Sequence, residues 1–234
     1  MATSTEQINA LIAGYTDLKA YFEGARDDLN TAKNNLPALL RQVVYVDEAN
    51  GLPGNSGSSA EPFATIDDAI SAFKDGQAVE IRLLTNATFG KRHWRYGMQI
   101  RLAGYDLGAG TFVNRSVTLA GAAVNQVTSV PGINMSGSGM VSFLNVDLSL
   151  SQAVLDGQHF VSSGFLAMSF DGCAIDGGAA GDSALLHQYA GAFALGIRST
   201  TFSNMDGRWV YGFAAGAPLT ADACGGIIDP AITN

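Results

Sequence analysis

Charge is scarce in this chain, and positive charge is scarcest. Only 15% of the 234 residues are Asp, Glu, Lys or Arg, against roughly 25% in an ordinary soluble domain. Beyond residue 115 the basic residues are Arg198 and Arg208 alone, against eight Asp and no Glu. With a formal net charge of −8, the chain has no basic footprint for a phosphate backbone, so nucleic acid is not expected as a partner. Cysteine is nearly absent: Cys173 and Cys224 form no CxxC motif and are too few for a disulfide framework. They read as small, half-buried residues. No run of about 18 apolar residues occurs, so no membrane insertion is expected. The opening MATSTEQ lacks a basic segment followed by an apolar one, so no secretory signal is expected. Glycine, by contrast, is abundant at 28 residues, and apolar residues make up 47%. Low charge with high glycine, and no Pro/Ser-rich tract, points away from disorder and toward a β-rich chain with many tight turns.

The first forty residues carry a different signal. Ile8, Leu11, Tyr15, Leu18, Phe22, Ala25, Leu29, Ala32, Leu36 and Leu39 follow one another in alternating steps of three and four. That unbroken a/d pattern predicts a helix whose apolar stripe faces another helix along its length. Residues 1–42 are therefore expected to form a coiled-coil stalk, with oligomerisation carried by Ile8, Leu11, Tyr15, Leu18, Phe22 and Leu29. The bulk of Tyr15 and Phe22 at a positions favours three strands over two. Asp28 at g and Lys33 at e can pair between chains. Ser4 or Thr5 is expected to cap the start, Gly14 and Gly24 each weaken the helix by about 1 kcal/mol, and Pro37 predicts a break near Leu36.

From Val43 the period changes, and residues 43–234 read as a second domain. Val43–Val46 is a short β run, and a turn-rich stretch, NGLPGNSGSS, follows at 50–59. Thr65 and Asp68 make a capping-box-like start to a short helix near 66–75, with Ile66, Ala69, Ile70 and Phe73 on its apolar face and Gly76 at its end. Short strands then recur between glycines. EIRLLTN (80–86), QIRLAGY (99–105) and SVTLAGA (116–122) share an apolar–x–Leu core, which aligns Ile81, Ile100 and Val117. Further on, four columns repeat every 27 residues: Phe143/Phe170/Ile197, Leu148/Ile175/Phe202, Gly137/Gly164/Gly191 and Val141/Met168/Leu195. A strand-and-turn repeat of this length predicts a parallel β-helix, each rung stacking its inward residues on those of the next about 4.8 Å away. At roughly 20–27 residues per rung the domain holds seven or eight, with the 66–75 helix plugging the first.

Residues 45–70, YVDEANGLPGNSGSSAEPFATIDDAI, resemble the opening segment of the pectate-lyase-like right-handed β-helix of phage tailspikes and tail fibres. Tyr45, Val46, Asp47, Asn55, Gly57, Pro62, Phe63, Thr65, Ile66 and Ala69 carry the resemblance. It implies a homotrimeric virion protein of the tail or spike, made in the host cytoplasm. The N-terminal stalk would join other virion proteins and the β-helix would touch a host surface glycan. Attachment without catalysis, glycan depolymerisation, and a structural adaptor or decoration role are the functions it leaves open.

Cleaving a glycan takes two carboxyl groups about 5 to 9.5 Å apart. The candidates are Asp147, Asp156, Asp171, Asp176, Asp182 and Asp206, and the 27-residue register puts no two in one column: Asp171 falls on Arg198, Asp176 between Ser149 and Ser203, and Asp147 beneath Ala174 and Thr201. No catalytic residue is assigned, and the reading leans away from an enzyme. His93, His159 and His187 lack metal-ligand spacing, so no metal and no cofactor is expected. Two aromatic clusters have the composition of a sugar-binding surface. Trp94 and Tyr96 lie amid Lys91, Arg92, His93 and Arg95, and Tyr189, Trp209 and Tyr211 lie near His187 and Arg208. Trimer-interface or core packing is the plainer account of both. Trp209, at the distal end with Arg208 beside it, is expected to lead recognition.

Overall fold

The computed structural model describes residues 3–40, 42–119, 131–150, 158–178, 183–212 and 226–228. The chain divides into two compact units, 1–41 and 42–234.

The first unit is one helix, α1 (Ser4–Leu40). Its cap is Thr3, not Ser4 or Thr5: the Glu6 amide donates to Thr3 Oγ1 at 3.4 Å, and the Glu6 carboxylate accepts from the Thr3 amide at 2.6 Å. That reciprocal pair satisfies two end amides at once, which neither later residue does. The break expected near Leu36 is absent, since α1 continues through Pro37 to Leu40. A proline removes one backbone bond and crowds one turn; in a helix this long the bonds on either side carry the chain through. Ile8, Leu11, Tyr15, Leu18, Phe22 and Leu29 are all exposed in the single chain.

The second unit is mainly β. It opens with β1 (Gln42–Val46) and α2 (Ile66–Ser71). A first circuit comprises β2 (Ala78–Leu83), β3 (Ala87–Phe89) and β4 (Arg92–Tyr96). A second comprises β5 (Gln99–Asp106), β6 (Thr111–Phe112), β7 (Arg115–Leu119) and β8 (Gly132–Ser136). The third holds β9 (Ser138–Leu144), β10 (Val146–Ser149) and β11 (Gln158–Ser162), and the fourth β12 (Phe165–Asp171), β13 (Ala174–Asp176) and β14 (Ala184–Gln188). β15 (Ala192–Arg198) and β16 (Thr201–Ser203) begin a fifth, and β17 (Gly226–Ile228) comes last. Each circuit visits three sheets in the same order. Sheet A runs β1-β2-β5-β9-β12-β15-β17, sheet B β3-β7-β10-β13-β16, and sheet C β4-β8-β11-β14. Among the described residues pairing is parallel, except that β6 folds back antiparallel on β5. This parallel-sheet architecture is compatible with a β-helix-like fold.

The 27-residue columns are register partners. Phe143 pairs with Phe170 and Phe170 with Ile197; Val141, Met168 and Leu195 align likewise, as do Leu148, Ile175 and Phe202. The Phe143 and Phe170 rings stack 4.8 Å apart and 6° from parallel, and Phe143 meets Phe160 edge-on across the core at 5.8 Å. At the corner between sheets C and A, Gly137, Gly164 and Gly191 lie directly on one another. A Cβ on Gly164 would sit 2.3 Å from the Gly137 carbonyl oxygen, and one on Gly191 1.8 Å from that of Gly164. Glycine recurs in this column because the backbones leave no room for a side chain.

The earlier alignment needs correction. Ile81 pairs with Leu102, a step of 21 where the sequence alignment used 19, and Val117 lies in sheet B, between Ala87 and Leu148. Side chains in a strand alternate with period two, so a slip of two residues keeps every apolar residue on the core side. The hydrophobic pattern cannot separate 19 from 21.

The segment behind the family resemblance is held by its own polar residues. Asp47 accepts from the Ala49 and Asn50 amides, Asn50 Nδ2 and Thr85 Oγ1, all between 3.0 and 3.2 Å. Burial alone would raise its pKa; these donors outweigh that and lower it. Asn55 Nδ2 donates to the Pro62 carbonyl at 2.8 Å, and the Phe63 backbone bonds Tyr45 and Asp47 to lie parallel beside β1. Thr65 Oγ1 accepts from the Asp68 amide at 3.0 Å, as an N-cap does, and donates to the Asp68 carboxylate at 2.8 Å, where a capping box would have the Thr65 amide donate. α2 ends at Ser71, short of Gly76, and buries Ile66, Ala69 and Ile70 against β1 and β3. Asp67, on the same helix, accepts from the buried His93 ring at 2.8 Å and from the Gly90 and Lys91 amides. Helix and first circuit are thereby tied together.

Candidate functional site

The two aromatic clusters, about a hundred residues apart in sequence, meet on sheet C. Trp94 is the register partner of Asn134, Asn134 of Val161, and Val161 of His187. The bridge between Leu186 and Val210 brings Tyr211 beside His187, with ring centroids 5.0 Å apart. One position from each successive chain pass thus forms a row about 19 Å long, at about 4.8 Å per strand. Along it runs a cavity of about 630 Å³, lined by Arg92, Trp94, Asn134, Gln158, Val161, Ser163, His187, Tyr189 and Tyr211. Trp94 is 65% exposed and Tyr189 75%, so both offer their faces to solvent. Tyr189 meets His187 edge-on at 6.2 Å. Asn134 and Val161 are buried and make the floor. Ser163 Oγ donates to Asn134 Oδ1 at 3.2 Å, which turns the amide NH2 toward other acceptors.

The expected leader of recognition is elsewhere. Trp209 is only 1% exposed and packs edge-on against Phe202 at 5.5 Å. Arg208 is buried too, donating from Nε to the Ser183 carbonyl at 2.9 Å and from an Nη to Ser183 Oγ at 2.6 Å. Both are core residues and present no surface for binding. Tyr96 is exposed, but its ring covers Gly137 and it does not line the cavity. Residues that carried no signal in the sequence, Asn134, Gln158, Val161 and Ser163, form the floor and sides. The 27-residue step that relates Asn134 to Val161 would have found two of them, had Trp94 been tied to Asn134.

The acids lie apart from this face. Asp171 pairs with Arg198 at 3.8 Å, the ion pair the register predicts. Asp147 accepts from Asn114 Nδ2 and the Ala174 amide, both at 3.2 Å. Asp176 is held below its ordinary pKa by hydrogen bonds from Asn204 Nδ2, the Gly178 amide and Ser203 Oγ. Asp206 is exposed, and Asp156, Asp182 and Cys224 lie outside the described residues. No acid lines the cavity among the described residues. Nor does any group of three His, Cys, Asp or Glu there have the arrangement of a metal site. No helix among them is long and apolar enough to cross a membrane. Cys173 is buried in the core, which pushes its thiol pKa up.

Next to the cavity floor, His159 is fully buried, with Nδ1 2.8 Å from the Pro131 carbonyl and Nε2 without a partner among the described residues. Burial pushes its pKa down to about 4, with the Arg92 and Arg208 charges adding to the effect and the Pro131 bond opposing it. The imidazole is therefore neutral when folded and protonates near pH 6.5 when unfolded. Above 6.5 the two states bind protons equally and nothing is lost. As the pH falls from 6.5 toward 4, only the unfolded state gains a proton, and stability drops. Chemical unfolding at pH 7 and pH 4.5 should show the parent chain losing about 2–3 kcal/mol more than a His159→Gln variant. Superimposable pH profiles would refute this.

No family model, curated protein or solved structure matches the chain.

Proposed function

We propose that the chain is a non-catalytic fibre or spike protein of a virion, with the sheet-C groove binding a glycan on the host surface. In this reading residues 43–234 form a right-handed parallel β-helix and α1 forms a three-stranded coiled coil that joins the other virion proteins. The observation that carries it is the groove: Trp94, Tyr189 and Tyr211, from two distant stretches, line one elongated cavity with amide, hydroxyl and imidazole groups between them. Sugars present apolar C–H faces that stack on aromatic rings, and hydroxyls that need such polar partners. The three-sheet circuit and the self-capped 45–70 segment support the β-helix, and parallel crossovers are right-handed in about 98% of cases. The exposed a/d stripe supports association through α1.

The described residues of the groove hold no carboxyl pair, which supports the reading of binding without cleavage. Incubation with the bound glycan should release no new reducing ends; release would favour a depolymerase. Trp94→Ala should weaken glycan or whole-cell binding at least tenfold, since losing an aromatic anchor costs about 2 kcal/mol or more. Its melting temperature should hardly change, because the indole is mostly exposed. Unaltered binding, or an early melt, would remove the groove from consideration and leave the adaptor role.

A further inference from the structure

The groove has one feature that neutral-sugar binding does not use. Arg92 starts on β4, yet its guanidinium bonds the carbonyls of Gln158 and His159 on β11, two strands away. The strand between them presents Gly132 as Arg92's register partner, so no side chain blocks the path. A Cβ at Gly132 would sit 1.8 Å from the His159 carbonyl oxygen, and its φ of +146° also selects glycine. Arg92 is therefore laid across the sheet at a built position.

Two neutral carbonyls steady this cation without neutralising it. Among the described residues no carboxylate pairs with Arg92, and none lines the groove around it. Arg92 is half-buried, and that burial pushes its pKa down to about 10, which leaves it charged at neutral pH. Even a partly desolvated cation gains from an anionic partner, because part of its hydration is already lost. The chain is otherwise short of positive charge, with a net −8, and so repels anions in general. Beside Arg92 the Asn134 NH2 has no protein partner among the described residues, since Ser163 occupies the amide oxygen. The other titratable groups on the cavity are His187, Tyr189 and Tyr211; His187 is held below its ordinary pKa by burial and by the Arg92 charge, and so is mainly neutral at pH 7. Among the described residues, what the groove offers a ligand is thus one fixed cation and N–H donors between aromatic faces, with no opposing acid.

We propose that the sheet-C groove selects anionic saccharides, carrying carboxylate or phosphate, and that Arg92 is the residue that recognises the anion. The inference rests on the reading of the groove as a carbohydrate site and names the class of sugar it takes.

The test uses the full chain on an array of bacterial surface oligosaccharides with uronate-bearing, phosphate-bearing and neutral members. Each bound oligosaccharide is then titrated beside its neutralised form, carboxyl-reduced or dephosphorylated. The bound members should be anionic, and neutralisation should weaken binding about 10- to 100-fold, the range of a charge-assisted hydrogen bond. The uronate and phosphate arms identify which anion is read. Rising salt should weaken the anionic ligand alone. Arg92→Lys, which keeps the charge but loses the fork, should retain part of the preference; Arg92→Gln should lose it; and Trp94→Ala should weaken acidic and neutral members alike. The neutralised-ligand comparison needs only the parent chain, so it stands even if an Arg92 variant fails to fold. Equal binding of acidic and neutral members overturns the anion inference and leaves the carbohydrate site intact. No binding to any member overturns both.

Discussion

Phe170→Ala should lower the stability of the parallel-sheet unit by about 3–5 kcal/mol, as deletion of a large core aromatic does. Phe170 is 1% exposed and lies at the middle of the best-ordered column, stacked on Phe143 at 4.8 Å and in register with Ile197 above. Removing its ring leaves a cavity walled on one side by Phe143, whose place is fixed by Phe160 as well as by its own strand. The backbones on either side are locked by seven consecutive register pairs to β9 and to β15, so the walls cannot collapse into the space. The loss is therefore expected near the upper end of the range. A chain of this size shifts by roughly 2–4 °C per kcal/mol, so the melting temperature should fall about 10 °C or more. A control, Phe165→Ala, alters a half-exposed residue at the start of the same strand and should cost much less. Equal effects of the two would mean that the column is not the core.

The later columns were legible in the sequence because two constraints act on them together. Apolar residues must recur on the core side, and at the sheet corner only glycine fits where Gly137, Gly164 and Gly191 approach one another. Periodicity of both kinds, in phase, gives one register. In the earlier circuits Gly76 and Gly97 hold the same corner with positive φ, but the steps vary, 21 residues from Ile81 to Leu102 and 41 from Leu102 to Phe143, so no fixed period ties these glycines to the apolar columns. Apolar alternation alone then leaves the register open by multiples of two. The same uneven steps hid the site. Trp94 and Asn134 are 40 residues apart though adjacent in the sheet, so nothing in the sequence joined the first aromatic cluster to the second. Trp209 misled for another reason. An indole beside an arginine has the composition of a binding surface, but the arginine is spent on Ser183 and the indole on Phe202. The Asp67–His93 contact between α2 and β4 carried no sequence signal, because a lone acid on a capping helix and a lone histidine on a strand have no spacing to betray them. The ion pair of Asp171 with Arg198 was legible, since it lies within the 27-residue register.

Leu18→Asp with Phe22→Asp should convert the assembly to single chains, and it tests the proposed three-stranded seam directly. One chain weighs 24.3 kDa, so light scattering should give about three times that mass for the parent, on the oligomer state that bulky a-position residues favour. Leu18 and Phe22 are 53% and 61% exposed in the single chain, so neither supports the fold of the parallel-sheet unit, and circular dichroism of the double variant should keep its β signal. In a three-stranded seam the two substitutions place six carboxylates facing one another. Desolvating each costs several kcal/mol, and their mutual repulsion adds to the cost. The apolar burial given up at the same positions removes about 1.5–3 kcal/mol per side chain. The two effects act in the same direction and exceed what a 37-residue helix with Gly14 and Gly24 in its interior can hold against. A double variant of unchanged mass would show that association runs through another surface. A parent chain of twice the single mass would keep the seam and reject the third strand, and the argument from Tyr15 and Phe22 at a positions would fail with it.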